Sequence, residues 1–340
     1  MEEVNIQCFL LFCAFQKEIW RVEYSRMSTE KPKKKIDVNA MAKRLFSTVL
    51  LWGIVAGVFF SRNVAAVVAL VIVLAVLGAI EYLRITYEAP GKQRRIGAFC
   101  ISIGYLLWLA SDLLCINCGV EAVEVRTERL TSFTPEIVGL MATLFTAFFM
   151  SLRREIKGLD SINAVGTSLI CYIYVPVLFG GFMMRLLFLP SGTEVAQPEI
   201  SGVWLVLFVA IVTKFTDMGA YLTGTLFGRH KMVKHISPGK TWEGTIGSFA
   251  VAQAGAFGIW YLAGEQLAWM GDWWVISLLG VIISVSAIIG DLAESILKRS
   301  LEVKDSGDLL PGIGGILDLI DSICFSAPAA YLFLLYVSQG

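Results

Sequence analysis

The segment SAIIGDLAESILKRS (286–300) places Asp291, Glu294, Ser295 and Lys298 at i, i+3, i+4 and i+7. On a helix these positions share one face, so two carboxylates, a hydroxyl and an ammonium project together. Asp291 directly follows an apolar run, where a charge is costly unless it is paired or hydrated. Lys298 and Arg299 suit the plainer role of cations snorkelling at a helix end; Asp291 does not. The segment GILDLIDSI (315–323) repeats the pattern with Asp318, Asp321 and Ser322. Acids at a helix start are favoured by the helix dipole alone. If the two segments form consecutive antiparallel helices, however, Asp291 and Asp318 meet at adjacent ends. Two carboxylates at low dielectric repel unless a cation lies between them. All-oxygen ligands point to Mg²⁺, which typically uses one or two carboxylates plus substrate phosphates. Asp291 and Asp318 are therefore the expected metal ligands.

The connection between these helices, KRSLEVKDSGDLLPGIGG (298–315), adds Arg299, Lys304 and Asp305 and then a Pro-Gly and a Gly-Gly. Glycines let a backbone approach a ligand closely, and consecutive free N–H groups form anion-binding nests; a plain turn is the bland alternative. A second polar stretch, TKFTDMGAYLTGTLFGRHKMVKHISPGKTWEGTIGS (213–248), carries Lys214 and Asp217 three apart. Small residues that permit close helix packing follow. Next come the cations Arg229, Lys231 and Lys234 and the block Ser237, Lys240, Glu243. Its G-K-T is not a nucleotide-binding P-loop, because Lys234 stands where the first glycine is required. Acids for a metal and cations for phosphates match phosphoryl or nucleotidyl transfer, in which a protein mainly positions groups and neutralises charge. Two other readings stay open. One is a kinase, which would transfer a terminal phosphate. The other is a cation-coupled transporter using Asp217, Asp291 and Asp318, although no inverted repeat is visible in the spans.

These residues need elements to hold them, and composition says which. Of 340 residues, 56% are hydrophobic and 16% charged, with a mean hydropathy of +0.70; soluble domains carry about 25% charged residues. The fold class expected is an all-α polytopic membrane protein. A spanning helix needs about 20 apolar residues, and nine candidates lie near 45–61, 64–80, 97–114, 137–152, 165–184, 201–220, 245–264, 273–290 and 317–337. With a cytoplasmic N-terminus, only Arg62, Arg126, Arg129 and Arg185 of the 28 Lys and Arg fall outside the cytoplasmic segments. That asymmetry is the positive-inside signature, and it places the polar stretches at the cytoplasmic face and the C-terminus outside. Three regions are expected: a cytoplasmic tail 1–43, N-terminal membrane helices 44–200, and a catalytic membrane region 201–340. The net charge is zero, and nothing calls for a nucleic-acid partner.

The tail holds a short oily patch, CFLLFCAF, followed by the basic cluster KPKKK (31–35), which favours anionic lipid. Oily before basic is the reverse of a signal peptide; translation from Met27 is the alternative start. Among seven cysteines only Cys115 and Cys118 form C-x-x-C, which alone is weak evidence for metal or redox work.

The run SILKRSLEVKDSGDLLPGIGGILDLID (295–321) resembles the C-terminal signature of the phosphatidate cytidylyltransferase (CDP-diacylglycerol synthase) family. DMGAYLTGTLFGRHK (217–231) and ISPGKTWEG (236–244) resemble that family's other blocks. The likeness is close over roughly 200–340. Upstream it rests on hydropathy, with faint echoes at Lys43-Arg44 and Glu81-Tyr82. It implies a membrane enzyme that condenses CTP with phosphatidic acid, giving CDP-diacylglycerol and pyrophosphate; a CTP-dependent lipid kinase of the polyprenol or phytol type, making CDP instead of pyrophosphate, is the alternative. It further implies Mg²⁺ on Asp291 and Asp318, a monovalent cation such as K⁺ beside it, a homodimer, contacts with membrane lipids and a bacterial-type inner membrane. Lys298, Arg299, Lys304, Asp305 and Asp321 are then the expected catalytic set, with Asp217, Ser237, Lys240, Glu243 and Ser295 contacting substrate. Two positions depart from the family pattern: Ile313 replaces the usual His and Leu319 the usual Arg.

Overall fold

The computed structural model describes residues 53–86, 92–118, 132–152, 159–189, 198–303, 306–307 and 314–338. Among them, eight helices are long and apolar enough to cross a bilayer. They are α1 (Val64–Ile85), α2 (Lys92–Cys118), α3 (Thr134–Ser151), α4 (Asp160–Phe188), α5 (Pro198–Phe227), α6 (Trp242–Ala263), α7 (Trp273–Ser300) and α8 (Ile316–Ser338). The all-α membrane architecture expected from composition is what the chain adopts. Eight of the nine expected spans have a helix. The first half of the other, 45–61, falls outside the described residues; its second half is helical over 53–60, and Phe59 meets Trp204 of α5 edge-on at 4.9 Å. Cys115 and Cys118 close α2, and their side chains lie outside the described residues.

The helices form because their backbones have no other partners in lipid, and local signals set their ends. Asn63 caps α1, its Oδ1 accepting from Ala65 N at 2.9 Å. α4 begins earlier than hydropathy alone predicts, because its first turn is polar (Asp160, Ser161, Asn163). It widens to π-helix over Ile173–Gly181 around Pro176, which lacks an N–H and crowds the preceding turn. α5 and α7 outrun their apolar cores. At 1.5 Å per residue the 28 residues of α7 span about 42 Å, against about 30 Å of hydrocarbon. The extra turns carry the polar face read from the sequence.

The interior is packed with small, branched and aromatic side chains from α1, α2 and α4 to α8. Large apolar groups such as Phe145, Ile246 and Tyr261 face outward, as a lipid solvent permits. α5 and α6 lie especially close. A Cβ at Gly219 would stand 2.8 Å from Val251 Cβ and 2.9 Å from Ser248 Cα, the small-residue packing typical of membrane helices.

Between α5 and α6 the chain makes an antiparallel hairpin of β1 (Lys231–Val233) and β2 (Ser237–Thr241), pairing Lys231 with Thr241 and Val233 with Ser237. The sequence reads as a loop there, since strands this short show no alternation. Thr241 then caps α6, accepting from Gly244 N at 3.1 Å.

Candidate active site

Lys214, Asp217, Lys240, Asp291, Glu294, Lys298, Asp318, Asp321 and Ser322 converge from α5, β2, α7 and α8. Asp217 lies ten residues before the end of α5 and Asp291 nine before the end of α7, about 15 and 13 Å along the helix axes. The cluster is therefore recessed below the helix ends rather than laid on the surface.

The helix pair α7–α8 builds its centre. Beside Asp291 sits Gly290, where a Cβ would stand 2.8 Å from Asp321 O and 3.1 Å from Ser322 Cα. The missing side chain lets α8 press against α7 at this level. Asp291, Glu294 and Asp321 thereby each offer a carboxylate oxygen, all within 4.8 Å of one another. Each acid spends one oxygen on its own partner. Asp291 Oδ2 takes Lys240 Nζ at 2.8 Å, and Glu294 Oε2 takes Lys298 Nζ at 2.6 Å. Asp321 Oδ1 accepts from Ser322 N at 2.5 Å. Glu294 is 1% exposed, and its Oε1 is buried with no hydrogen-bond partner among the described residues.

Asp318, one turn from Asp321, is engaged differently. Its Oδ1 holds Lys298 at 3.0 Å, and its Oδ2 accepts from Gly315 N at 3.0 Å. Gly314 makes that turn with φ of 116°, a conformation open to glycine. On the far side, Lys214 Nζ lies 3.1 Å from Asp217 Oδ2, while the Ser322 hydroxyl lies 3.1 Å from Asp217 Oδ1 and 3.2 Å from Asp321 Oδ1.

Counting these groups, five carboxylates face three ammoniums. The excess is two negative charges, the charge of one divalent cation. Carboxylates crowded this closely repel unless a cation joins them. The unpartnered Glu294 oxygen is the kind of donor such an ion would satisfy, and all the donors are hard oxygens. The residues present fit Mg²⁺.

The expected site residues divide accordingly. Asp217, Lys240, Asp291, Lys298, Asp318 and Asp321 are brought together. Ser295 is half-buried on α7, one residue past Glu294. Ser237 opens β2, and Arg299 is exposed, its Nε 3.5 Å from Ile236 O of the hairpin. Glu243 stands apart as a brace: it accepts from Arg229 N at 3.1 Å and His230 N at 3.2 Å and meets His230 Nδ1 at 2.5 Å. Lys304, Asp305 and Ile313 lie outside the described residues. Leu319 is partly buried against the hydrophobic core, so packing accommodates that departure from the family pattern.

Spacing puts Glu294 on the reactive face without giving it a role; the structure places it among the clustered acids. Glu81 was harder to find. It is fully buried near the end of α1, and its Oε2 accepts from Leu317 N at 2.8 Å. The backbone passes so close that a Cβ at Gly315 would stand 2.5 Å from Glu81 Oε2 and one at Gly307 2.8 Å from Oε1. Its sequence signals are a lone acid in an otherwise oily helix and the faint family echo at Glu81-Tyr82.

The model of the cytidylyltransferase family matches residues 42–337. The chain belongs to that family. The cytidylyltransferase match crosses both the N-terminal helices and the region around the acids. Among curated proteins, the phosphatidate cytidylyltransferase of Chlamydia muridarum is 31% identical over 264 residues, covering 75% of this chain and 81% of that protein. That of Mycobacterium bovis is 40% identical over 150 residues, 44% of this chain and 46% of its own length. That of Brucella suis is 42% identical over 135 residues, 40% and 48% respectively. The match thus spans less than half of the mycobacterial and Brucella relatives and four-fifths of the chlamydial one.

Proposed function

We propose that this chain is a phosphatidate cytidylyltransferase. It moves the CMP unit of CTP onto the phosphate of phosphatidic acid, making CDP-diacylglycerol and releasing pyrophosphate. The observation that carries the reading is the acid cluster: three carboxylates with oxygens within 4.8 Å of one another, part of a set of five acids that outnumbers its three lysines by two, recessed in the membrane helices of a cytidylyltransferase-family chain. A scaffold protein has no use for such a cluster. Relatives that bear the activity's name add support.

In this reading a phosphate oxygen of phosphatidic acid attacks the α-phosphorus of CTP, and the bond from that phosphorus to the β-phosphate oxygen breaks. A phosphate monoester is already anionic near neutral pH, so no side chain has to remove a proton. Asp291, Glu294 and Asp321 would hold Mg²⁺, with Asp318 completing the acid set. When bound, the ion supplies charge neutralisation at the phosphates. Lys298 is held by Glu294 and Asp318 and presents its remaining ammonium proton to an anion. Lys240 orients Asp291 and, with Ser237, faces nucleotide phosphates from the hairpin. Arg299 adds positive charge beside the hairpin, and Lys304 and Asp305, outside the described residues, stay in the expected catalytic set as a cation and an acid. Asp217 positions Lys214 and Ser322, and Glu243 stiffens the hairpin.

The Lys and Arg asymmetry favours a cytoplasmic active site in an inner membrane, where CTP is available. The homodimer implied by the family resemblance is checked by cross-linking in native membranes.

The test is direct. Purified protein is given CTP labelled at its α-phosphorus and phosphatidic acid in detergent micelles, with and without Mg²⁺. Labelled lipid that requires Mg²⁺ is the expected result. Labelled CDP with unlabelled lipid would move the chain to the lipid kinases, and untouched CTP would return it to the transporters.

A further inference from the structure

The family resemblance implies a monovalent cation beside Mg²⁺, and the surroundings of Asp217 do not fit an added one. Both oxygens of Asp217 are engaged, Oδ2 by Lys214 Nζ at 3.1 Å and Oδ1 by the Ser322 hydroxyl at 3.1 Å. Lys214 also lies within electrostatic range of Asp321 and Asp291. Its side chain is 18% exposed and sits three residues before Asp217 on the same face of α5. An ammonium has the charge of K⁺ and is close to it in size, and it is a compact point charge on a flexible stem.

We propose that the Lys214 ammonium is the monovalent cation of this centre, built into α5, so that the protein requires one exogenous divalent ion and no exogenous K⁺. The charge count agrees. With Lys214, Lys240 and Lys298 in place the described acids exceed their cations by two, which one divalent ion cancels. Without Lys214 the excess is three, and Asp217 is left facing Asp321 across Ser322. Lys214 is a positioning residue: it holds Asp217, and through Ser322 it keeps Asp321 in register with Asp291 and Glu294. The inference rests on the cytidylyltransferase reading for its activity arm only; its stability arm does not need that reading.

The experiment compares wild type, Lys214→Ala and Lys214→Arg in Mg²⁺ buffers whose monovalent cation is choline, K⁺ or methylammonium, at constant ionic strength. Transfer to lipid and the midpoint of thermal unfolding in detergent are both recorded. Wild type is expected to change less than about twofold in activity, with no shift in midpoint, when choline replaces K⁺. Lys214→Ala is expected to lose about a hundredfold in choline, because Asp217 and, through Ser322, Asp321 lose the cation that holds them in place. It should regain at least about tenfold with K⁺ or methylammonium, together with a cation-dependent rise in its unfolding midpoint. A general packing defect would not respond to the identity of a small cation. Lys214→Arg keeps the charge and is expected to remain independent of K⁺. Wild type that loses activity or thermal stability without K⁺ overturns the proposal, as does folded Lys214→Ala that ignores every small cation. If Lys214→Ala does not fold, wild type and Lys214→Arg decide the matter. If wild type makes no labelled lipid in any buffer, the activity reading has failed, while the unfolding midpoints still decide the role of Lys214.

Discussion

Among the described residues, two clusters of charged side chains lie at opposite ends of the bundle, and they are built on opposite principles. At the end where α3 starts and α4 finishes, Arg185 clasps Glu136. Its Nη2 lies 2.9 and 3.0 Å from the two carboxylate oxygens, and its Nε 3.1 Å from Oε1. Tyr105 donates to the same carboxylate at 3.1 Å, Tyr172 to the Glu136 carbonyl at 3.1 Å, and Arg185 also donates to Ser132 O at 2.7 Å. Phe133 covers the guanidinium, its ring centre 5.1 Å away. One cation meets one anion, and every oxygen of the acid is used. At the other end, acids outnumber lysines and a Glu294 oxygen is left without a partner. A satisfied pair can only hold helices together. An unsatisfied surplus is unstable by itself and is useful only to a ligand that completes it.

The sharpest way to break this comparison is to neutralise one acid in each group. Asp291→Asn or Asp321→Asn should cut transfer to lipid by more than about a hundredfold. The unfolding midpoint in Mg²⁺-free detergent should hold steady or rise, because a repulsion has been removed. Glu136→Gln should do the reverse. Stripping the partner from buried Arg185 should cost about 3–5 kcal/mol of stability, read as a lower midpoint, while the surviving folded protein turns over normally. A variant that lost stability at Asp321 and activity at Glu136 would invert the assignment of the two ends.

A second experiment sharpens the contrast. Replacing both members of the outer pair, Glu136→Met with Arg185→Leu, should recover much of the loss, since a buried pair is often replaceable by well-packed apolar residues. No apolar pair placed at Asp291 and Asp321 should restore turnover. Gly290→Leu should act as a spacer in the inner group. By forcing α8 away from α7 it should lower kcat by about tenfold or more, with the Mg²⁺ concentration for half-activation rising in parallel. The smallest effect is expected at Glu243→Gln. It touches neither group, and loosening the hairpin should change the apparent KM for CTP by about threefold with kcat intact.

Much of this was legible beforehand, for definite reasons. Apolar runs announced the spans because lipid demands them, and the i, i+3 spacing announced faces because a helix has one period. What spacing does not fix is rotation. Asp318 and Asp321 are one turn apart on the same face, and the close approach at Gly290 decides that Asp321 joins Asp291 and Glu294 while Asp318 turns to Lys298. Lys240 could not be paired from the sequence either, since the hairpin that aims it at Asp291 is too short to leave a pattern. The charge balance, which gives Lys214 its importance, exists only once four elements have been brought together.

The bond from Glu81 to the backbone of Leu317 joins residues 236 positions apart. A ribosome delivers α1 to the bilayer long before α8, so Glu81 waits for a partner that arrives only with α8. Until that helix arrives, Asp318 and Asp321 are missing as well. A nascent chain that has not yet reached α8 therefore lacks both the Glu81 bond and two of the five clustered acids, and the arrival of that helix supplies them together.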